Sequence, residues 1–321
     1  MSTGACPICH DQSFTSLSVR EMMLGTREVF RYGECHSCRC LFLIEPPTDM
    51  GRYYPQDYYS FHEFTPNLLQ RIRTYVKYKS LFSAATGKGL VGRIILTLFG
   101  KPYYACWLEL LQWTKDSRIL DVGCGSGMLV RELYSAGFTA VEGIDPFLSE
   151  SVIASARLPI RTADIFDIQP LPDEKFDCIM FHHSFEHVPL PQDVLLHAVK
   201  LLRKNGRIVI RVPVADSFAY REYGTDWVQL DAPRHYILHT QKSMAIIAQQ
   251  SGLTIEHTIY DSTDFQFWGS ELYQRNCSLH EIKSPESYFD KNILQEFKKK
   301  ADTLNASGQG DQACFILKQR V

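Results

Sequence analysis

The segment LDVGCGSGMLV at residues 120–130 carries three glycines at alternate positions, two residues after an acidic side chain. Because it follows a short apolar run, the glycines fall at the end of a predicted strand, where they allow a sharp turn and the close approach of a ligand. A dinucleotide-binding loop has the spacing G-x-G-x-x-G, whereas Met128 stands where the third glycine would fall. Asp121 would repel a pyrophosphate but suits an ammonium group. The loop therefore predicts a cationic, nucleotide-like ligand and not NAD.

Two CxxC pairs, Cys6/Cys9 and Cys35/Cys38, form a second set of residues that could do chemistry. Four thiolates on tight turns complete the tetrahedral coordination that zinc prefers. Four protein ligands leave no open position for water, so the predicted zinc is structural and not catalytic. One of the four positions could instead be filled by a neighbouring ligand, for which the candidates are His10, His36 and Cys40.

The residues of the glycine loop lie within alternating strand-length and helix-length segments. From Ser117 onward, apolar runs such as RILDVG, AVEGID, FDCIMFHH and RIVIRVPV are separated by amphipathic stretches. This alternation predicts parallel βαβ units and a doubly wound, Rossmann-like α/β sheet of seven strands. The last strand-like run, ACFILKQR at 313–320, is expected to return as an antiparallel edge strand.

The glycine loop resembles the first motif of class I S-adenosylmethionine-dependent methyltransferases, D/E-x-G-x-G-x-G. The resemblance covers about residues 117–320 and implies S-adenosylmethionine as the cofactor. It implies that Asp145 binds both ribose hydroxyls, that Asp164 lies near the adenine amino group, and that His182 and His183 lie near the methionine end. The predicted cofactor-binding residues are Asp121, Gly123, Cys124, Gly125, Gly127, Asp145, Pro146, Asp164, Ile165 and His182.

The cysteine-rich N-terminus is similar to the zinc modules of some methyltransferases that act on nucleotide-linked sugars. This resemblance implies a small polar acceptor, expected to be a sugar in surface-glycan or secondary metabolism. An alternative acceptor is a phenolic or quinone-like molecule, stacked on Tyr220, Tyr223, Trp227 and Tyr236. In a third hypothesis of another class, the zinc module docks a macromolecule, and the protein is either a methyltransferase of that macromolecule or a binding protein whose catalytic domain is idle.

A base that removes the acceptor's proton is sought after the fourth and fifth strands. His235 is the first candidate, since it falls where the sugar-acting relatives carry a catalytic histidine; a loop-anchoring role is the alternative. His183, Glu186 and His187 are the others. The adjacent Glu186 and His187 resemble a metal-assisting pair of quinone-type O-methyltransferases, but two ligands are too few for a site, and a helix start is the preferred interpretation.

Composition narrows the class of partner and the location. A formal net charge of −2 over 321 residues gives no basic surface for nucleic acid. The longest apolar segment, at 90–100, is too short to span a bilayer, and no export signal is evident, so a cytoplasmic enzyme is expected. The predicted domains are a zinc-ribbon-like module at 1–45, an aromatic linker with helices at 46–115 and the cofactor-binding domain at 116–321. The oligomeric state is left open.

Overall fold

The computed structural model describes residues 4–54, 68–99, 105–156, 158–172 and 175–320. Most of the predicted aromatic linker, residues 55–64, lies outside them. The strands are β1 (Phe14–Arg20), β2 (Val29–Cys35), β3 (Leu41–Leu43), β4 (Ile119–Val122), β5 (Val141–Ile144), β6 (Ile160–Arg161), β7 (Phe176–His182), β8 (Leu202–Pro213), β9 (Ile237–Leu238), β10 (Leu253–Tyr260) and β11 (Gln312–Gln319). The helices are α1 (Leu68–Thr86), α2 (Leu90–Phe99), α3 (Ala105–Leu111), α4 (Met128–Ala136), α5 (Glu150–Ala156), α6 (Pro191–Leu201), α7 (Phe218–Tyr223), α8 (Gln241–Gln250), α9 (Phe265–Gln274) and α10 (Lys291–Ala306).

The chain divides into two compact units, each built from separate stretches of sequence. Unit 1 contains Met1–Pro55, Phe185–Asp193 and Arg211–Phe315. Unit 2 contains Gln56–Ser184, Val194–Ile210 and Ile316–Val321. The domain boundaries predicted at 45 and 115 stay a prediction, since these units do not follow consecutive segments.

Within the described residues, seven strands form one mostly parallel sheet in the order β10-β11-β8-β7-β4-β5-β6, with antiparallel strands at one edge. The predicted doubly wound fold is confirmed. Strand β4 lies centrally and is parallel to both neighbours, with Asp121 opposite Gly143 of β5 and Met180 of β7. The position of the last strand was predicted wrongly: β11 inserts between β8 and β10, and β10 forms the edge.

The described part of the N-terminal region contributes three strands to a second, antiparallel sheet in the order β1-β2-β3-β9. Its fourth strand comes from far along the chain, with Ile237 opposite Phe42 and Leu238 opposite Leu41. Tyr32, Leu41, Leu238 and Trp227 belong to one buried apolar cluster beneath this sheet. The N-terminal strands therefore form one sheet with residues 237–238, which precede helix α8.

None of the described helices alone is long and apolar enough to cross a bilayer. The segments Tyr78–Thr86 and Leu90–Leu98 meet the length and composition criteria only as a pair, and they are bent by 102°.

Candidate active site and metal centre

The glycine loop after β4 requires glycine for its backbone conformation. Gly123, Gly125 and Gly127 have φ of 74°, 52° and 75°, in the left-handed region that side chains rarely adopt. A Cβ atom on Gly123 would lie 2.4 Å from the Cβ of Ser184, so there is also no room for one. Gly127 immediately precedes helix α4, which begins at Met128. The loop thus runs from the end of the central strand to a helix N-terminus, as the sequence predicts.

Two carboxylates flank this loop, and their surroundings differ. Asp145 accepts hydrogen bonds from the backbone N–H groups of Gly125 (3.0 Å) and Phe147 (2.9 Å), one to each carboxylate oxygen. Asp121 is 2% exposed, and its Oδ1 has no hydrogen-bond partner among the described residues. Burial and the nearby Asp145 raise the pKa of Asp121 to about 7. The loop therefore contains a buried acidic group that a cation would stabilise.

The remaining predicted cofactor residues of this unit have identifiable local roles. Cys124 packs against Gly143, where an added Cβ would lie 2.8 Å from its Sγ. Pro146 is exposed. Asp164 caps the short 3-10 helix Ile165–Asp167 by accepting from the N–H of Phe166 (3.0 Å), while Ile165 is buried. Direct contact of these residues with the cofactor stays a prediction.

His182 and His183 follow each other at the end of β7. Their rings lie edge to face, 5.2 Å apart between centroids. His183 has a positive φ of 56°, which is uncommon for a side chain of this size. Backbone strain of this kind is typical of functional positions, but the catalytic role of His183 stays a prediction.

His235, the first candidate base, lies in a buried cluster of acid–base side chains in unit 1. The residue is 4% exposed, and its Nδ1 lies 2.8 Å from the Gln229 carbonyl. Because a carbonyl only accepts, Nδ1 carries the proton, and Nε2 has the lone pair in the neutral ring. Nε2 lies 3.6 Å from the Asp231 carboxylate and 3.9 Å from the Glu186 carboxylate. The structure thus brings together His235 and Glu186, two of the three predicted catalytic residues.

A second imidazole, His187, lies beside the first, with 4.8 Å between the ring centroids. Its Nδ1 is 3.0 Å from the Arg234 carbonyl and 3.0 Å from the Tyr54 hydroxyl. Burial and the neighbouring His235 lower the pKa of His187 to about 4, so the ring is neutral near pH 7. As the sequence predicts, His187 sits in a helical turn, the 3-10 helix Phe185–His187.

The sequence prediction missed three members of this cluster: Tyr54, Asp231 and Arg234. Arg234 is 1% exposed and forms an ion pair with Asp231, three residues earlier. Burial acts to raise the pKa of Asp231, but Arg234 and His235 hold that pKa below its usual value. The sequence prediction also counted two metal ligands here, whereas ligand atoms of Glu186, His187 and His235 lie within 4.8 Å of one another.

The two CxxC turns have the same backbone conformation. In each, the residue after the second cysteine donates its N–H to the carbonyl of the first: His10 to Cys6 and Arg39 to Cys35, both at 3.0 Å. His10 and Arg39 also share a left-handed φ of 62° and 63°. This repeated turn aims both thiols of each pair toward a common point, which is the arrangement that a tetrahedral metal site needs.

The four predicted ligand thiols form one group whose sulfur atoms lie within 4.8 Å of one another: Cys6, Cys9, Cys35 and Cys38. The alternative ligand Cys40 contacts two of them, with its Sγ 3.5 Å from that of Cys6 and 3.4 Å from that of Cys38. His36 is turned to the Thr15 hydroxyl, 2.9 Å from its Nε2.

Comparison with known proteins decides the family. The methyltransferase domain family matches residues 98–258, half of the chain. The chain belongs to the S-adenosylmethionine-dependent methyltransferases. The methyltransferase is 25% identical over 185 residues to a ubiquinone biosynthesis O-methyltransferase of Neisseria meningitidis serogroup C, covering 48% of this chain and 76% of the relative. It is 35% identical over 118 residues to a trans-aconitate 2-methyltransferase of Mycolicibacterium gilvum, covering 36% of this chain and 44% of the relative. A methyltransferase structure from Archaeoglobus fulgidus aligns with a TM-score of 0.41 at 19% identity, over 68% of this chain and all of that one.

The loop of this methyltransferase fits the cofactor of its family. S-adenosylmethionine supplies an electrophilic methyl group on a sulfonium centre, and its methionine end carries an ammonium group. The buried Asp121 oxygen that has no partner among the described residues is an acceptor for such a cation. Asp145 already holds Gly125 in place, and each of its oxygens retains a lone pair for a ribose hydroxyl. Asp121 would therefore hold the ammonium group of the cofactor, and Asp145 its ribose.

Proposed function

We propose that this methyltransferase modifies a small polar acceptor and that His235 removes the acceptor's proton. The observation that carries the proposal is the surrounding of His235 Nε2, whose lone pair is left free by the Nδ1–Gln229 hydrogen bond. The acceptor's hydroxyl or acidic C–H would give its proton to this nitrogen as its oxygen or carbon bonds to the methyl carbon. The sulfur–methyl bond would break in the same step and S-adenosylhomocysteine would leave. The imidazolium that results lies beside two carboxylates, Asp231 and Glu186, which stabilise its charge.

An acid–base role fits this cluster better than a catalytic metal. The guanidinium of Arg234 is buried there and paired with Asp231. Because Asp231 is neutralised by this ion pair, a divalent cation would have Glu186, His187 and His235 as ligands, and one carboxylate would have to balance two buried positive charges. The sequence-based preference for a metal-free reaction is therefore retained in the proposal.

The proposed acceptor is a sugar, carried on a nucleotide, and a quinone-like phenol is the second candidate. The similarity of the cysteine module to those of sugar-acting methyltransferases supports the first. The name of the Neisseria relative, a ubiquinone biosynthesis O-methyltransferase, supports the second. The predicted aromatic wall for a phenol is weakened, however, because Trp227 is fully buried and donates its indole N–H to Asp311 at 3.0 Å.

We also propose that Cys6, Cys9, Cys35 and Cys38 bind one structural zinc ion. The identical turns and the grouped thiols support this assignment. Elemental analysis of the purified, reduced protein is expected to find about one zinc per chain, as a closed four-thiolate site requires. Protein without stoichiometric metal would contradict the zinc assignment and leave the methyltransferase assignment untouched.

The role of His235 is tested with an acceptor panel of nucleotide-linked sugars and catechol-type phenols. Replacing His235 with Ala should reduce turnover on the true acceptor by roughly 100- to 10,000-fold, which is the usual loss for a positioned base. Binding of S-adenosylhomocysteine, measured by calorimetry, should stay normal. The exposed His257 on β10 provides the matched control, His257→Ala. Near-full turnover of His235→Ala would reduce His235 to a loop anchor and move the search to His183 and Glu186.

A further inference from the structure

The cysteine cluster contains one more thiol than a tetrahedral site can use. Cys6, Cys38 and Cys40 form a triangle of Sγ atoms with sides of 3.4, 3.5 and 3.6 Å, and Cys9 lies 3.4 Å from Cys35. With zinc–sulfur bonds of 2.3 Å, the sulfurs of a tetrahedral site are about 3.8 Å apart. Each observed separation is thus close to one edge of such a tetrahedron. Cys40 is a fifth thiol, beside the Cys6–Cys38 edge and outside the group of four.

The position of Cys40 follows from the repeated turn. In the first turn, the N–H of Cys6 donates to the carbonyl of Asp11 at 2.8 Å. In the second, the N–H of Cys35 donates to the carbonyl of Cys40 at 3.1 Å. Cys40 therefore occupies the place in its turn that Asp11 occupies in the other. Asp11 directs its side chain to the N–H of Ser13, whereas the Cys40 side chain is fully buried against the thiols.

We propose that Cys40 is a reserve zinc ligand that takes the corner of Cys6 or Cys38 when either is lost. This inference rests on the proposed zinc site. Cys40 shares an edge with those two thiols, so a small movement places its sulfur in either position. Its thiol gives up a proton to solvent as the zinc–sulfur bond forms. Cys9 contacts Cys35 and is not beside Cys40. The site should therefore tolerate loss of Cys6 or Cys38 but not loss of Cys9.

The test compares the single variants Cys6→Ser and Cys9→Ser with the double variant Cys6→Ser/Cys40→Ser. Cobalt(II) replaces zinc as a probe, because the intensity of its sulfur-to-metal charge-transfer band counts thiolate ligands. Cys6→Ser should keep the four-thiolate band and a zinc affinity within about tenfold of the wild type. Cys9→Ser and Cys6→Ser/Cys40→Ser should show three thiolates and weaker binding. Cys6→Ser/Cys277→Ser is the matched control, since Cys277 is outside the cluster and should not alter the Cys6→Ser result.

Equal cobalt spectra and equal zinc affinities for Cys6→Ser and Cys6→Ser/Cys40→Ser would overturn the role of Cys40. If Cys6→Ser does not fold, Cys38→Ser with and without Cys40→Ser makes the same comparison through the other edge. The single variant Cys40→Ser should match the wild type in both measurements. A wild-type protein that binds neither metal would overturn the zinc site itself and this inference with it.

Discussion

At the scale of single residues, the Asp121 carboxylate is the acidic position of the glycine motif. It lies on the central strand, buried next to a second carboxylate, and these surroundings raise its pKa to about 7. A buried acid of this kind is not accounted for by packing, because it weakens the folded chain when it ionises. A bound ammonium group reverses that effect, which gives the acidic position of the motif its physical reason.

Cofactor affinity should therefore depend on pH through Asp121. Below about pH 7 the unliganded carboxyl holds a proton, which binding of a cation must remove, so affinity should fall by about tenfold per pH unit. Calorimetry with S-adenosylhomocysteine between about pH 5.5 and 8.5 measures this dependence. At pH 8.5 the variant Asp121→Asn should bind S-adenosylhomocysteine more weakly than the wild type by about 1.5–3 kcal/mol. Its affinity should also lose most of the dependence on pH. A wild-type affinity that is constant over this range would contradict the assignment.

The sequence predicted the glycine loop and its acid because all of their positions lie within one short motif. The cluster around His235 could be predicted only in part. His235, Glu186 and His187 were candidates by residue type, but Asp231 and Arg234 gave no signal of their own, since charged residues in a polar segment are usually exposed. Their burial and pairing depend on contacts that no local pattern encodes.

At the scale of elements, the two CxxC turns depend on residues that follow the cysteines. His10 adopts a left-handed φ of 62°, although it has a side chain and is exposed. Glycine populates this region without steric cost. The four thiols can be read from the sequence, but the left-handed backbone at residues 10 and 39 cannot. Neither position carries the glycine that usually indicates such a turn.

His10→Gly should therefore stabilise the protein by about 0.5–1 kcal/mol, since it removes the strain of the left-handed residue. The measurement is chemical denaturation of the zinc-loaded protein, followed by fluorescence. His10→Val is the opposing control and should destabilise. Zinc content should not change in either variant, whereas loss of zinc from His10→Gly would show that His10 is itself a ligand.

Strand pairing marks the limit of sequence-based prediction for the elements. The runs that form β4, β5, β7 and β8 were recognised by their length and apolar pattern. Strand β9 has only two residues, which is too short for any periodicity, and it exists because it pairs with β3. The place of β11 inside the sheet was likewise decided by its partners on both sides. Pairing between distant segments is a tertiary effect that local sequence does not specify.

At the scale of the whole molecule, unit 1 connects the cysteine site to the proposed base. Three hydrogen bonds join residues 32–43 to residues 235–240. The Tyr32 hydroxyl donates to the His235 carbonyl at 2.7 Å, the N–H of Leu43 donates to the Tyr236 carbonyl, and the Thr240 hydroxyl donates to the Cys38 carbonyl. Residues 235–240 are therefore held by β2, by β3 and by the second CxxC turn. The zinc site is therefore expected to influence residues beyond the first 45.

Removal of zinc should consequently loosen residues 235–240 as well as residues 6–44. A strong chelator is expected to raise amide hydrogen exchange in both stretches, because the β3–β9 pairs and the bond to the Cys38 carbonyl lose their support. Turnover should fall while S-adenosylhomocysteine still binds, since the glycine loop is held by its own contacts to Ile144 and Asp145. Exchange at residues 123–127 provides the internal control and should change little. If hydrogen exchange increased only at residues 6–44 and turnover stayed intact, the zinc site would not support His235 and its role would be local.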